Sequence, residues 1–378
     1  MSQRYRAAFI RGGTSKALVF RVQDLPADRG LWDALFLRAL GAPDRYGRQL
    51  NGMGGGVSSL SKVCVVGPPT MAGADVDYTF AQVQIKEARV DYSGNCGNMS
   101  SAIGPFAVDE GLVPRPADGP VRIRIHNTNT RKIIHAHFEV KNGCAVEAGT
   151  LEIPGVEGGG APIRLDFLEP GGASTGRLLP SGQALDELAL DGTGTVPASL
   201  IDAANACVFV PASALGLTGA ELPDELAAHP TALDHLQQLR LRGAVLMGLA
   251  NSIDAARERP MIPLIAIVSP PRETLTLDGE RIPADAADLV VRMISNGQPH
   301  RALPLTGSLC TAVAMQVAGT VAHTLARPER DATALRLAMP SGVIQLAADV
   351  RQIDGRWHAV SGCFYRTTRR LFDGHVYA

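Results

Sequence analysis

Hydrophobic and polar residues alternate without interruption in two neighbouring segments. In VRIRIH, Val121, Ile123 and Ile125 fall on one side and Arg122, Arg124 and His126 on the other. In IIHAHFEVK, Ile134, Ala136, Phe138 and Val140 oppose His135, His137, Glu139 and Lys141. A period of two predicts half-buried antiparallel strands, with the basic and histidine-bearing faces turned to solvent. The apolar runs VCVV (63–66) and MIPLIAIVS (261–269) predict buried strands, and residues 356–378 predict two closing strands.

Helical periodicity is rarer. DRGLWDALFLRALG repeats apolar side chains at Leu31, Leu35 and Ala39 and meets a stop at Gly41, and TALDHLQQLRLRGAVLMGLA is a second helix. Two further helices, 97–108 and 307–321, are apolar nearly all round and should be buried on every side. Each is entered through small polar residues, CGNMSSA in the first case and TGSLCTA in the second. Strand-rich sequence, a polar entry and a buried helix therefore occur twice, which predicts an internal repeat and an α+β fold of two domains. The Gly-, Pro-, Ser- and Thr-rich stretch GRLLPSGQALDELALDGTGTVPAS reads as the linker. It divides the chain into residues 1–185 and 186–378, with the C-terminal strands returning to the first half.

Length and composition narrow the function. A chain of 378 residues fits two domains. A formal net charge of −1 supplies no attraction to nucleic acid or anionic membrane, and 5% aromatic residues make a poor base-stacking platform. No run of about 18 apolar residues predicts a membrane span, and MSQRYRAAFIRGG lacks the apolar centre of a secretory signal. The six cysteines are scattered with no CxxC pair, which argues against a zinc ribbon and for a reducing, cytoplasmic setting.

Candidate chemistry gathers at the helix entries and in the glycine loops. Cys96 precedes Gly97, Asn98 and Met99, beside the first free N–H groups of a buried helix, where a thiolate is favoured and small residues admit a ligand. In NGMGGGVSSLSKVCVV, three glycines and Ser58, Ser59 and Ser61 can bind a carboxylate or phosphate. Lys62 then leads into a buried strand, where burial penalises its charge and favours the neutral amine that serves as a base. RGGTSK fails the spacing of a phosphate-binding loop, but Arg11, Thr14, Ser15 and Lys16 are carboxylate-binding candidates. In GQPHRALPLTGSLC, His300 and Arg301 can grip an anion and Thr306, Gly307 and Ser308 can donate hydrogen bonds. Thr306 stands where Cys96 stands in the first half, so two symmetric acid/base thiols are not available. His126, His135 and His137 belong to the basic solvated face and are not read as metal ligands, and no GxGxxG follows a strand.

Taken together, RGGTSK, GMGGGVSSLSK, DYSGNCGNMSSAIGPFA, LTGSLCTAVA and the terminal RTTRRLFDGHVY resemble the PrpF-type isomerases, relatives of diaminopimelate epimerase that act on methylaconitate, 3-methylitaconate or 4-oxalomesaconate. The resemblance covers nearly the whole chain. It implies two pseudo-repeated, β-barrel-like domains, each wrapped around a central apolar helix, with the active site in the cleft between them and Lys62 and Cys96 facing one another across it. It also implies an enzyme without metal or cofactor that moves a C=C bond by 1,3-allylic proton transfer in a small unsaturated di- or tricarboxylate. Lys62 and Cys96 match the proton-handling pair, and Arg11, His300 and Arg301 are candidates for the outlying carboxylates. A homodimer is the family-level expectation. The rival readings are a cofactor-independent racemase or epimerase, which Thr306 opposes, and a non-catalytic carboxylate-binding accessory protein, which the Lys62–Cys96 pairing opposes.

Overall fold

The computed structural model describes residues 3–378. The chain divides into two compact units, one built from the chain up to Asp166 together with Tyr365–Ala378, the other from Phe167–Phe364.

In the first unit, Arg4–Gly12 (β1) and Ser15–Arg21 (β2) form an antiparallel hairpin. The chain then runs through the helix Trp32–Leu40 (α1), closed by Gly41 in the left-handed conformation that favours glycine. Lys62–Gly67 (β3) returns parallel to β2 and pairs antiparallel with Val76–Val83 (β4). The short strand Val90–Asp91 (β5) lies on β4 and leads into the helix Gly97–Asp109 (α2). Gly119–Asn127 (β6) follows, parallel to β4, and Lys132–Lys141 (β7) pairs antiparallel with β6. The last strand, Thr368–Tyr377, covers the free edge of β1.

Every residue of α2 from Gly97 to Val108 is buried, and the helix packs against β1, β2, β3, β6 and β7. Its apolar circumference therefore has a partner on every side, as the sequence requires. Gly104 permits the close approach: a Cβ there would meet the Phe138 ring at 2.8 Å and Ala136 at 3.1 Å.

The second unit repeats this order. A hairpin of Gly194–Ala203 and Asn205–Pro211 is followed by the helix Ala232–Leu246. Leu264–Ser269 then pairs parallel with Asn205–Pro211 and antiparallel with Leu289–Ser295. Gln298–Pro299 lies on Leu289–Ser295 and leads into the buried helix Leu305–Ala314. Leu335–Met339 is parallel to Leu289–Ser295, and Gly342–Ile353 is antiparallel to Leu335–Met339. Antiparallel and parallel pairings thus alternate identically in both units, with a buried helix entering at the same step.

Three expectations are corrected. The division falls after Asp166 and not near residue 185, because the stretch read as a linker is a hairpin of the second unit. Its alternation buries Leu188 and Leu190, and Gly192 and Gly194 turn the chain with positive φ. The second buried helix spans Leu305–Ala314 rather than 307–321. It ends at Ala314 with Met315 as its C-cap, Gly319 turns the chain with φ of 85°, and Thr320 caps a separate helix, Val321–Leu325, by accepting from the His323 N–H. His126 leaves the solvated face: at the end of β6 it is buried, and its Nδ1 lies 2.8 Å from an Asp77 oxygen. Among the described residues no helix is long and apolar enough to cross a membrane.

Candidate active site

Lys62 opens β3, opposite Ala17 of β2 and Gln82 of β4. Side chains two apart on a strand share a face, so Lys62 and Cys64 look the same way as Tyr78, Phe80 and Gln82 of the facing strand. Lys62 is only 7% exposed. Its Nζ lies 4.9 Å from the centre of the Phe80 ring and donates to Gln82 Oε1 at 2.7 Å. Gln82 is itself fully buried, and its Nε2 donates to the carbonyls of Ser61 at 2.9 Å and Ser58 at 3.1 Å. Those two acceptors settle which end of the amide faces the lysine.

Cys96 is 8% exposed and occupies the N-cap of α2 in an extended conformation, and its thiol is not spent on capping. The Cys96 carbonyl accepts from the Ser100 N–H at 3.0 Å, the Ser100 hydroxyl at 3.1 Å and the Tyr78 hydroxyl at 3.4 Å. Tyr78 also lies 3.8 Å from the Cys64 sulfur. Burial, reinforced by the nearby Cys96, pushes the Cys64 thiol well up, while Tyr78 and Lys62 pull the other way. Burial likewise raises Tyr78, with Cys64 and Cys96 adding to it. Cys64 and Tyr78 therefore stay protonated at neutral pH, and they link the strand that carries Lys62 to the helix entry that carries Cys96.

The β1–β2 turn closes over the same helix entry. Asn98 Nδ2 donates to the Thr14 hydroxyl at 3.1 Å, and Asn98 Oδ1 accepts from Arg366 Nε at 3.2 Å and from the Thr14 N–H at 3.5 Å. A Cβ at Gly12 would lie 2.7 Å from the Asn98 carbonyl, and one at Gly13, whose φ is +52°, 2.2 Å from Asn98 Oδ1. Arg11 donates to the carbonyls of Gly13 and Thr367, both at 3.0 Å. Burial, and then Arg369, lower the Arg11 guanidinium, and burial brings Arg366 down to about 9. RGGTSK, CGN and RTT, distant in sequence, thus meet around one asparagine, with the buried Arg366, the half-buried Arg11 and a helix N-terminus supplying positive potential.

Several expected site residues have structural duties instead. The Ser61 hydroxyl donates to Gln49 Oε1 at 2.5 Å, and Ser58 offers its carbonyl to Gln82. Asn98 gives its amide to Thr14 and Arg366, and Met99 is fully buried against Gly12. Ser15 is buried, Ser59 is half-buried, and Lys16 lies over the Phe9 ring at 5.7 Å. Lys62 and Cys96 both belong to the first unit, so they do not face each other from opposite halves. His300, Arg301, Thr306, Gly307 and Ser308 all lie in the second unit. There His300 donates its N–H to Met293, and Arg301, 63% exposed along its side chain, pairs with Asp224 at 3.7 Å. Thr306 is not a cap but lies inside its helix, whose N-cap is Pro304, and Ser308 donates its hydroxyl to the Pro304 carbonyl at 3.2 Å.

The sequence matches the model of the family described as PrpF protein over residues 2–378. The chain belongs to the PrpF family. It is 39% identical over 376 residues to the 3-methylitaconate isomerase of Eubacterium barkeri, covering 99% of this chain and 97% of that protein. It is 37% identical over 380 residues to the 2-methyl-aconitate isomerase of Cupriavidus necator, covering 98% of this chain and 96% of the other. A crystal structure of methylitaconate-delta-isomerase superposes with a TM-score of 0.80 at 38% identity, covering 100% of this chain and 96% of the other. The PrpF assignment and the twice-repeated α+β architecture expected from the motifs therefore stand.

Within this PrpF chain, sequence reading missed Cys64, Tyr78, Gln82 and Arg366. One signal was present. In VDYTFAQV the alternate positions Val76, Tyr78, Phe80 and Gln82 form one face of a strand, and a glutamine ends an otherwise apolar or aromatic series. A polar side chain on a buried face needs a partner, but nothing in the sequence identifies that partner as Lys62.

Proposed function

We propose that this protein is a cofactor-independent isomerase that shifts a C=C bond by 1,3-allylic proton transfer in a small unsaturated di- or tricarboxylate of the methylitaconate or methylaconitate type, with Lys62 and Cys96 as the proton-handling pair. One observation carries the reading: within one unit, the strand that carries the buried Lys62 amine and the helix entry that carries the uncommitted Cys96 thiol are linked through Cys64 and Tyr78, whose hydroxyl holds the Cys96 carbonyl. The neutral Lys62 Nζ takes a proton from the carbon next to the double bond. The C–H bond breaks, an N–H bond forms, and the electron pair moves into a dienolate whose charge rests on a carboxylate oxygen. Backbone N–H groups in the first turn of α2 lack helical acceptors and are suited to hold that oxygen. The Cys96 thiol then returns a proton two carbons away, the double bond settles in its new place, and proton exchange resets ammonium and thiolate. Electrons and groups all remain on the substrate, so the step calls for no redox cofactor. The scattered cysteines favour a reducing, cytoplasmic setting.

The test is a panel of aconitates, methylaconitates, itaconates and 4-oxalomesaconate followed by proton NMR in D₂O. Solvent deuterium should enter at one allylic carbon of the turned-over acid. Lys62→Met and Cys96→Ser should each remove turnover with the fold intact. Near-native rates in both variants on the true substrate would sink the mechanism. The racemase reading predicts instead loss of optical rotation with an amino acid and no movement of a double bond.

A further inference from the structure

The partner of Lys62 is a neutral amide and not a carboxylate. Gln82 is fully buried, its Nε2 is anchored on the carbonyls of Ser58 and Ser61, and its Oε1 holds the lysine Nζ at 2.7 Å. Among the described residues, no ion pair is formed between Lys62 and an acid. The titratable groups that share its surroundings are Cys64 on its own strand, Tyr78 on β4, Cys96 at the entry of α2 and Asp91 on β5. Cys64 and Tyr78 hold their protons, and Asp91, opposite Gln82, accepts from the N–H and hydroxyl of Ser93.

We infer that Gln82 is the positioning residue for Lys62, fixing Nζ in place without setting a negative charge beside it, so that the proton-accepting amine remains accessible. An amide carbonyl accepts from both the amine and the ammonium, and it favours the ammonium far less than a carboxylate does. A carboxylate at the same position would favour the ammonium and withdraw the base. The inference rests on the reading of Lys62 as the base.

Two variants and two measurements test it. Gln82→Glu should move the acid limb of the kcat/KM profile to higher pH by at least about one unit, with an approximately tenfold loss at pH 7. Gln82→Met, close in volume but with only a weakly accepting sulfur, should lower kcat about tenfold, the range in which misplacement of a catalytic group is felt, with little change in KM. A merely structural glutamine would alter stability and leave the pH limb where it was. Cyanate carbamylation of Lys62, mapped by peptide mass spectrometry, needs no substrate, and because cyanate reacts with the neutral amine its pH dependence should shift upward in Gln82→Glu. Overlaid wild-type and Gln82→Glu profiles in both measurements would overturn the inference. If Gln82→Glu fails to fold, an unchanged kcat in Gln82→Met does the same. If no acid on the panel is turned over, the functional reading fails, whereas the carbamylation profiles still decide whether Gln82 governs the charge of Lys62.

Discussion

Tyr78 shows how single residues tie this site together. Its hydroxyl donates to the Cys96 carbonyl and lies within reach of the Cys64 sulfur, in surroundings too dry for either group to find water. Tyr78→Phe keeps the ring and removes both interactions. The expected cost is about 1–2 kcal/mol, the usual price of leaving a buried hydrogen-bonding group without its partner, and urea denaturation at pH 7 measures it. At this scale the candidate residues stood out in the sequence: a lysine entering an apolar run and a cysteine before a glycine-rich helix start are unusual placements. The residues that hold them were not. Gln82 reaches Lys62 only through the register that sets β3 beside β4, and Arg366 reaches Asn98 only because the two ends of the chain meet.

At the scale of elements, the parallel join between β4 and β6 is held by charged pairs as well as by the backbone ladder. Arg124 grips Asp75, and Asp77 receives the Thr70 N–H and hydroxyl and faces His126. Burial pushes the Asp77 carboxyl up, but the bonds from Thr70 and His126 outweigh it and hold the group below its ordinary value. A depressed carboxyl contributes stability above its unfolded value, near pH 4, and loses that contribution as pH falls through the folded value. Asp77→Asn should therefore cost roughly 1 kcal/mol at pH 7, and the gap from wild type should close in urea titrations taken progressively below pH 4. The strands were legible from their alternation. The burial of His126 was not, because a period of two assigns a face to a whole strand and cannot see that the last residues of β6 pass beneath a neighbouring aspartate.

At the scale of the whole molecule, the C-terminal strand is structural material of the first unit. Thr368–Tyr377 pairs with β1 over most of its length, and Thr367 accepts from both Arg11 and the Gly13 N–H. Removing residues 367–378 should expose the edge of β1 and loosen the turn over α2. Limited proteolysis should then cut the first unit while the second, Phe167–Phe364, stays resistant. Equal resistance of both units would count against this assignment.

Periodicity and composition alone determined the α+β class, the two buried helices and the repeat, and they singled out Lys62 and Cys96 as candidates, because each is a local pattern or an odd placement within one. Tertiary structure alone decided where the units divide, that the Ser61 hydroxyl is spent on Gln49, and which amide and hydroxyl hold Lys62 and the Cys96 carbonyl. These depend on strand register and on chain ends meeting, and no local window of sequence contains contacts between residues brought together only by folding.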